Sequence, residues 1–464
     1  MHETEPQIAH QLSFAGPDQS ACISWQPLLK KRLGARAREA ACFVAECMRD
    51  PAYVNAIAAI ANGEASFPTQ RSPFSLASGD AGLALMYSYL DTCLPGQGFA
   101  GLAQQYLRIA AEGTRQFPPA VPSLFGGTAG LAFALGQASQ GGRRYQQTLD
   151  RLHLGLCEQV FTYPWRQPAS ASGVSPGDFD LIMGAAGVLT YLVSLEQANP
   201  TIRAAISHLL AYLLWLSEAG QPLGAERWYV SPDLLPTDMH RQHFPGGYFD
   251  CGLAHGIPGP LAALALTQLA GYRYPGLREA IASLADWIVA HRVGQEWGSD
   301  WPVNVPLEYA AAAQSWQQLP PTRSAWCYGA PGIARSLWLA GRALGDRELC
   351  ERGIEAIESV LRRPVATRAT DAPTLCHGVA GLLQICLRFA HECESDLVKA
   401  QIPILTEQIL DAFDPTFPLG FRDIDERGPY DQPDWLTGAP GVAMVLLSAT
   451  TSVTPTWDRV LAIA

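Results

Sequence analysis

The sequence predicts an all-α fold, an α/α toroid of seven helical hairpins. Three observations predict it. A glycine motif, G-x-[AP]-G, recurs seven times, within S-G-D-A-G (78–82), G-G-T-A-G (126–130), M-G-A-A-G (183–187), H-G-I-P-G (255–259), Y-G-A-P-G (328–332), H-G-V-A-G (377–381) and T-G-A-P-G (437–441). An apolar run follows every copy, as in GLALMYSYL, GVLTYLVSL and GPLAALALTQLA. Between copies lie amphipathic segments whose apolar residues recur at steps of three and four. A spacing of roughly 50–70 residues held this regularly marks a repeat architecture.

Residues 1–29 read as an N-terminal segment and 30–464 as one toroidal domain; the repeat overrides the prior of about three domains that the length alone suggests. The stretch 30–61 is helical in pattern and supplies the outer helix that the ring would otherwise lack. Each motif leads into an inner helix, apolar nearly all round as a buried helix is. Outer, amphipathic helices follow, clearest at 103–116, 276–291, 347–362 and 397–411. Seven inner helices surrounded by outer ones read as a closed ring. The glycines turn the chain where backbones crowd. Pro258, Pro331 and Pro440 fit the first helical turn, where no N–H is needed. Two stretches, 222–250 and 293–321, are rich in Pro, Gly, Trp and Tyr and break the rhythm just before the fourth and fifth motifs. They read as insertions that wall the site, with short strands near 227–230 and 300–305.

Composition narrows the function. The formal net charge is −11 and no basic stripe exists, which argues against nucleic acid. No apolar stretch is long enough for a membrane span. The N-terminal MHETEPQ is not a signal peptide. Eleven cysteines in 464 residues are too sparse for a disulfide scaffold. Reduced thiols and a cytoplasmic location are expected.

The repeat gives a coordinate system for chemistry. Two residues before the first motif glycine stand Ala77, Phe125, Ile182, Ala254, Cys327, Cys376 and Leu436; one before it stand Ser78, Gly126, Met183, His255, Tyr328, His377 and Thr437. Cys327, Cys376 and His377 thus share one height on neighbouring repeats. Two thiolates and an imidazole suit Zn2+, and three protein ligands leave a position open for water or a thiol. So electron-rich a set favours thiol activation. His255 reads as a fourth ligand closing the site, as a satisfied core histidine or, the preferred reading, as an acid/base group facing the open position. Asp180 is a plausible partner for it, with Asp178 and Asp434 as rivals. Arg323, four residues before Cys327, could place a cation over the site or lie on the surface. His240 and His243 lack the spacing of a metal pair, and the acidic run RDIDERG (422–428) reads as a solvated loop.

Four strings carry a resemblance over nearly the whole chain: F-D-L-I-x-G-x-x-G, G-L-A-H-G-I-x-G, W-C-Y-G-x-P-G and C-H-G-x-A-G. In them the sequence resembles the lanthionine synthetase C-like family. The resemblance implies an α/α toroid with a small SH2-like extension, and zinc held by Cys327, Cys376 and His377. It implies an acid/base role for His255, an active-site role for Asp180 and Arg323, and Tyr328 nearby. The implied reaction is the Michael addition of a peptide cysteine to dehydroalanine or dehydrobutyrine, giving a thioether ring. The implied partners are a dehydrated precursor peptide of leader plus core, a separate dehydratase and an export transporter. Three other readings compete: a protein adding glutathione to dehydroamino acids, a prenyltransferase-like thiol alkylator, and a non-catalytic zinc-stabilised peptide-binding scaffold.

Overall fold

A computed structural model of the chain describes residues 12–14, 24–66, 68, 71–165, 173–218, 226–235, 237–311, 315–320 and 322–464. Parts of the N-terminal segment (1–11, 15–23) and of the two insertions (222–225, 236, 312–314, 321) lie outside the described residues.

Each glycine motif opens an inner helix. The seven are Asp80–Cys93, Thr128–Gln137, Ala185–Val193, Pro258–Leu269, Ala330–Leu344, Val379–Glu392 and Ala439–Thr450. Each packs on the next, and the seventh packs on the first, so the ring is closed. Outer helices follow the first six: Phe99–Gln116, Gln146–Thr162, Pro200–Ser217, Leu277–Ala290, Arg347–Arg362 and Asp396–Asp411. The seventh inner helix takes its cover from the start of the chain, where Lys31–Cys47 packs against it. Leu28 N–H donates to Ala449 O, and the Trp25 indole donates to Ser448 O, fastening this seam. The fold is the all-α toroid that the repeat predicts.

Two features of the motif close the ring. The first is a belt of backbone hydrogen bonds, one per repeat. Ala77 N–H donates to Phe125 O, Phe125 to Ile182, Leu181 to Ala254, Ala254 to Cys327, Cys327 to Cys376, Cys376 to Leu436, and Leu436 back to Ala77, at 2.9–3.2 Å. Six of the seven donors stand two residues before a motif glycine; the third link uses Leu181, one residue earlier. The second feature is the second glycine of each motif. A Cβ on Gly82, Gly130, Gly187, Gly259, Gly332, Gly381 or Gly441 would sit 2.7–3.5 Å from the Cβ of Trp435, Leu76, Leu124, Leu181, Leu253, Trp326 or Leu375, respectively. Each of those side chains belongs to the preceding repeat around the ring and is fully buried. A backbone carbonyl of the same repeat lies closer still, 2.0–2.8 Å from each such Cβ, so glycine is needed both for the motif's own turn and for the neighbour's side chain.

Aromatic rings fill the axis below the belt. Phe125 meets Trp326 and Trp435 at 6.1 and 6.3 Å, and Trp435 meets Trp457 edge-on at 6.1 Å. Trp457 belongs to the 3-10 turn Trp457–Leu461, which the Trp326 indole holds through Leu461 O at 3.0 Å. These rings fill the axis of the toroid beneath the motif residues.

The insertions carry β-structure in small pieces. Strand Tyr248–Asp250 runs antiparallel to Asn304–Pro306, pairing Asp250 with Asn304, and Val230 bridges to Tyr248. Val293–Gln295 and Gly298–Asp300 form a hairpin. The acidic run 422–428 departs from expectation. Instead of a solvated loop, Asp423–Asp425 pairs with Gly428–Tyr430 in a hairpin at the motif end, and Asp423 is buried. The alternation R-D-I-D around a turn is a strand pattern whose acidic content masked it.

The glycine argument predicts opposite responses to one added methyl. In Gly332→Ala the new Cβ would lie 2.5 Å from Trp326 O and 2.7 Å from Leu253 Cβ, lowering stability by about 1–3 kcal/mol or more. In Gly155→Ala, inside the outer helix Gln146–Thr162 with nothing within 4 Å, helix propensity raises it by about 0.5–1 kcal/mol. Denaturant melts of both variants check this; a Gly332→Ala protein as stable as wild type sinks the packing argument.

Candidate active site

The belt places the candidate residues at one rim. Residues just before each inner helix form the lip of the open end, and each of those helices starts at a backbone position that no side chain caps. Seven helix N-termini thus lie along this rim, where helix dipoles favour anions, and several of their first-turn N–H groups are bonded to carbonyls of the preceding loop.

The Cys327 N–H donates to Cys376 O at 3.2 Å, which sets the two cysteines side by side on the lip. The neighbouring Cys376 thiol lowers the Cys327 pKa, against burial and with His377 and Arg323 adding positive charge. Cys327, with burial, holds the Cys376 thiol well above the usual range.

His377 stands beside the pair, its Nε2 hydrogen-bonded to Asp423 Oδ1 at 2.8 Å. Burial works against the imidazolium, but the Asp423 bond and charge outweigh it and raise the His377 pKa. Asp423 is itself held by the Tyr430 hydroxyl at 3.0 Å and the Ile424 N–H at 2.9 Å. A carboxylate behind a histidine, fixing its ring, is the arrangement found behind metal-ligating imidazoles, and it leaves Nδ1 for the metal. Among the described residues, no group of three or more His, Cys, Asp or Glu side chains stands at metal-holding separations as placed. The donor chemistry of Cys327, Cys376 and Asp423-braced His377 nonetheless suits a thiophilic divalent ion.

His255 occupies the lip one repeat before Cys327. Its Nδ1 meets Asp180 Oδ2 at 2.6 Å, with Asp180 buried and the imidazole 42% exposed to the mouth. The other Asp180 oxygen accepts from the Met183 and Gly184 N–H groups. Burial disfavours charged His255, yet the Asp180 bond and charge, with Asp250 and Cys327 behind them, raise its pKa. The rival carboxylates are engaged elsewhere. Asp178 accepts from Ser175 N–H, and Asp434 pairs with Arg71 at 3.5 Å. Arg323 is exposed and lines a cavity of about 650 Å³ together with His377, Asp423 and Asp434. The Tyr328 hydroxyl donates to Asp250 Oδ2 at 3.0 Å, and its ring lies 6.4 Å from that of His255. His240, half-buried, and His243, exposed, bond Thr237 and Met239 near them in sequence.

Two of these residues escaped the sequence reading, Asp423 and Asp250. Asp250 had a visible signal, since F-D at 249–250 repeats the F-D at 179–180 that carries Asp180.

Comparison with known proteins decides the family. The sequence model of the lanthionine synthetase C-like proteins matches residues 70–462. The chain belongs to the lanthionine synthetase C-like family. The nisin biosynthesis protein NisC of Lactococcus lactis subsp. lactis is a relative, 22% identical over 353 residues, 75% of this chain and 82% of that protein. The solved structure of a nisin cyclase has the same fold, with a TM-score of 0.74 at 20% identity, over 88% of this chain and 96% of that one. For a lanthionine synthetase C-like chain, this agreement on the toroid is the expected one. Among the described residues no helix is long and apolar enough to cross a membrane.

The Asp180–His255 pair predicts a pH signature. Because the native pKa of His255 is raised, the pair's contribution to stability is fully present below the unfolded value near 6.5 and fades as pH rises through the native one. Asp180→Asn should lower the native pKa and flatten that dependence, seen by NMR titration of the His255 ring and by melts across pH. An unmoved His255 titration would refute the pairing.

Proposed function

We propose that this chain is a zinc-dependent lanthipeptide cyclase, closing thioether rings by adding precursor-peptide cysteines to dehydroalanine or dehydrobutyrine. The observation that carries the proposal is the Cys327–Cys376 pair, joined by a backbone hydrogen bond, with Asp423-braced His377 and the Asp180–His255 dyad on the same lip. We take residues 30–464 as the working toroidal domain, with 222–250 and 293–321 as its extension. The substrate would be a dehydrated precursor peptide of leader plus core, supplied in the cytoplasm by a separate dehydratase and passed on to an export transporter.

Cys327, Cys376 and His377 would hold the zinc. When bound, zinc supplies the Lewis acidity that makes a peptide thiol a thiolate near neutral pH. The protein's own groups do the rest. With Nδ1 committed to Asp180, the His255 Nε2 is the atom that accepts the thiol proton and returns one to the α-carbon after attack. Asp180 fixes the tautomer and stabilises the imidazolium. Arg323 brings a cation to the enolate oxygen, and the ring of helix N-termini adds to it. Tyr328 forms the wall between His255 and Cys327.

The test pairs metal analysis with catalysis on a synthetic peptide containing one cysteine and one dehydroalanine. Wild type should bind stoichiometric zinc and consume the thiol, read by alkylation and mass spectrometry. Cys376→Ala should lose both zinc and activity. His255→Asn should keep zinc and lose activity by about 10²–10⁴-fold. A zinc-loaded wild type no faster than the free peptide, or a His255→Asn protein that loses its metal, would point to a closed structural centre and end the cyclase reading.

A further inference from the structure

Asp250 is a buried carboxylate for which the mechanism above has no use. It lies at the end of strand Tyr248–Asp250, where the insertion meets the ring, and only 4% of it is exposed. Its Oδ1 accepts from Gly252 N–H at 2.8 Å and its Oδ2 from the Tyr328 hydroxyl at 3.0 Å. Gly256 packs against this residue, where a Cβ would lie 2.3 Å from the Asp250 backbone O and 2.6 Å from its Oδ1. Tyr328 is clamped at its other end too. A Cβ on Gly252 would lie 2.5 Å from Tyr328 Cε1, so the phenol ring lies directly on that glycine's backbone. The His255 ring is its aromatic neighbour, with centroids 6.4 Å apart and the planes tilted by 37°.

We propose that Asp250 is a positioning residue that acts through Tyr328, anchoring the phenol so that its ring holds the His255 imidazole in its working orientation. Two carboxylates then serve one histidine in different ways. Asp180 fixes Nδ1 from behind, and Asp250 fixes the wall beside the ring. A neutral acceptor would satisfy Gly252 and Tyr328 with less desolvation, because burying a carboxylate without a cation against it is expensive. That burial pushes Asp250 up to about 6. The charge is explained by what it faces. Among the described residues, Asp180, Asp250 and Cys327 act on the charge of His255, and both carboxylates favour its protonated form, while Tyr328 lies beside the ring. The arrangement also ties the insertion to the site, since Asp250 pairs in register with Asn304 of the second insertion.

The inference concerns His255 in the proposed cyclase reaction, so its catalytic arm rests on that reading; its spectroscopic arm does not. The experiment uses zinc-loaded full-length protein as wild type, Asp250→Ala, Asp250→Asn, Tyr328→Phe and the Asp250→Ala/Tyr328→Phe double variant. Ring resonances of His255, assigned by their loss in His255→Asn, are recorded with kcat and KM on the one-cysteine, one-dehydroalanine peptide. Asp250→Ala and Tyr328→Phe should each shift the His255 resonances and lower kcat by about tenfold, the size of one lost hydrogen bond to a charged group. KM should change little. The double variant should be no worse than either single one, because both cut the same link. Asp250→Asn keeps an acceptor for the phenol and should restore part of the loss. Multiplying effects in the double variant overturn the inference, as do His255 resonances that stay at wild-type positions. If Asp250→Ala does not fold, Tyr328→Phe decides alone: unmoved resonances and unchanged kcat sink the proposal. A wild type without activity counts against the cyclase reading, while the resonances still judge the link.

Discussion

The belt of backbone hydrogen bonds joining neighbouring motifs fixes how far apart the repeats can stand. Because Cys327 donates to Cys376 O, the two thiols are neighbours before any metal or substrate arrives. Because each second glycine admits the preceding repeat's side chain, the belt can be tight enough to close after seven units. Site geometry is therefore a property of ring closure. Loosening one seam would separate the thiols and imidazoles that belong to different repeats, even where the loosened seam touches none of them.

Seven equivalent lip positions carry unequal chemistry. Ser78, Gly126 and Thr437 are small or weakly polar, whereas His255, Tyr328 and His377 occupy three consecutive repeats. Carboxylates stand behind all three: Asp180 behind His255, Asp250 behind Tyr328 and Asp423 behind His377. Each is buried and fixes the ring in front of it, so orientation comes from behind and the lip atoms stay open to the mouth. The inner helices point their N-termini the same way, which lowers the energy of negative charge wherever it develops along that rim. A repeat fold reaches chemical asymmetry here by changing one or two lip residues per unit while the backbone repeats.

The architecture and most of the rim were legible because the repeat is local in sequence. The motif, its following apolar run and the offsets of Cys327, Cys376, His377 and His255 can all be counted along the chain. Asp180 was legible as a buried charge in an apolar segment needing a partner. Asp423 was not, because its partner His377 lies on another element, 46 residues upstream, and its own surroundings, R-D-I-D-E-R-G, look solvated. Charge density in a strand of three residues says nothing about which single side chain turns inward. Asp250 was hidden differently. It sits in an insertion, outside the periodic offsets, and only the strand pairing with Asn304 brings it to the rim.

The seam that completes the ring also sets the order of assembly. Arg38 reaches Thr450 O across 412 residues of chain, and the Trp25 indole reaches Ser448 O across 423. During synthesis the first helix emerges with an apolar face whose partner has not yet been made. It must wait, or be sheltered, until the last inner helix leaves the ribosome. The thiol pair, built by adjacent repeats, can form earlier than the wall of the cavity beside it, which needs the first and seventh repeats in contact. The seam that closes the ring is thus a contact the chain can make only once nearly all of it has been synthesised.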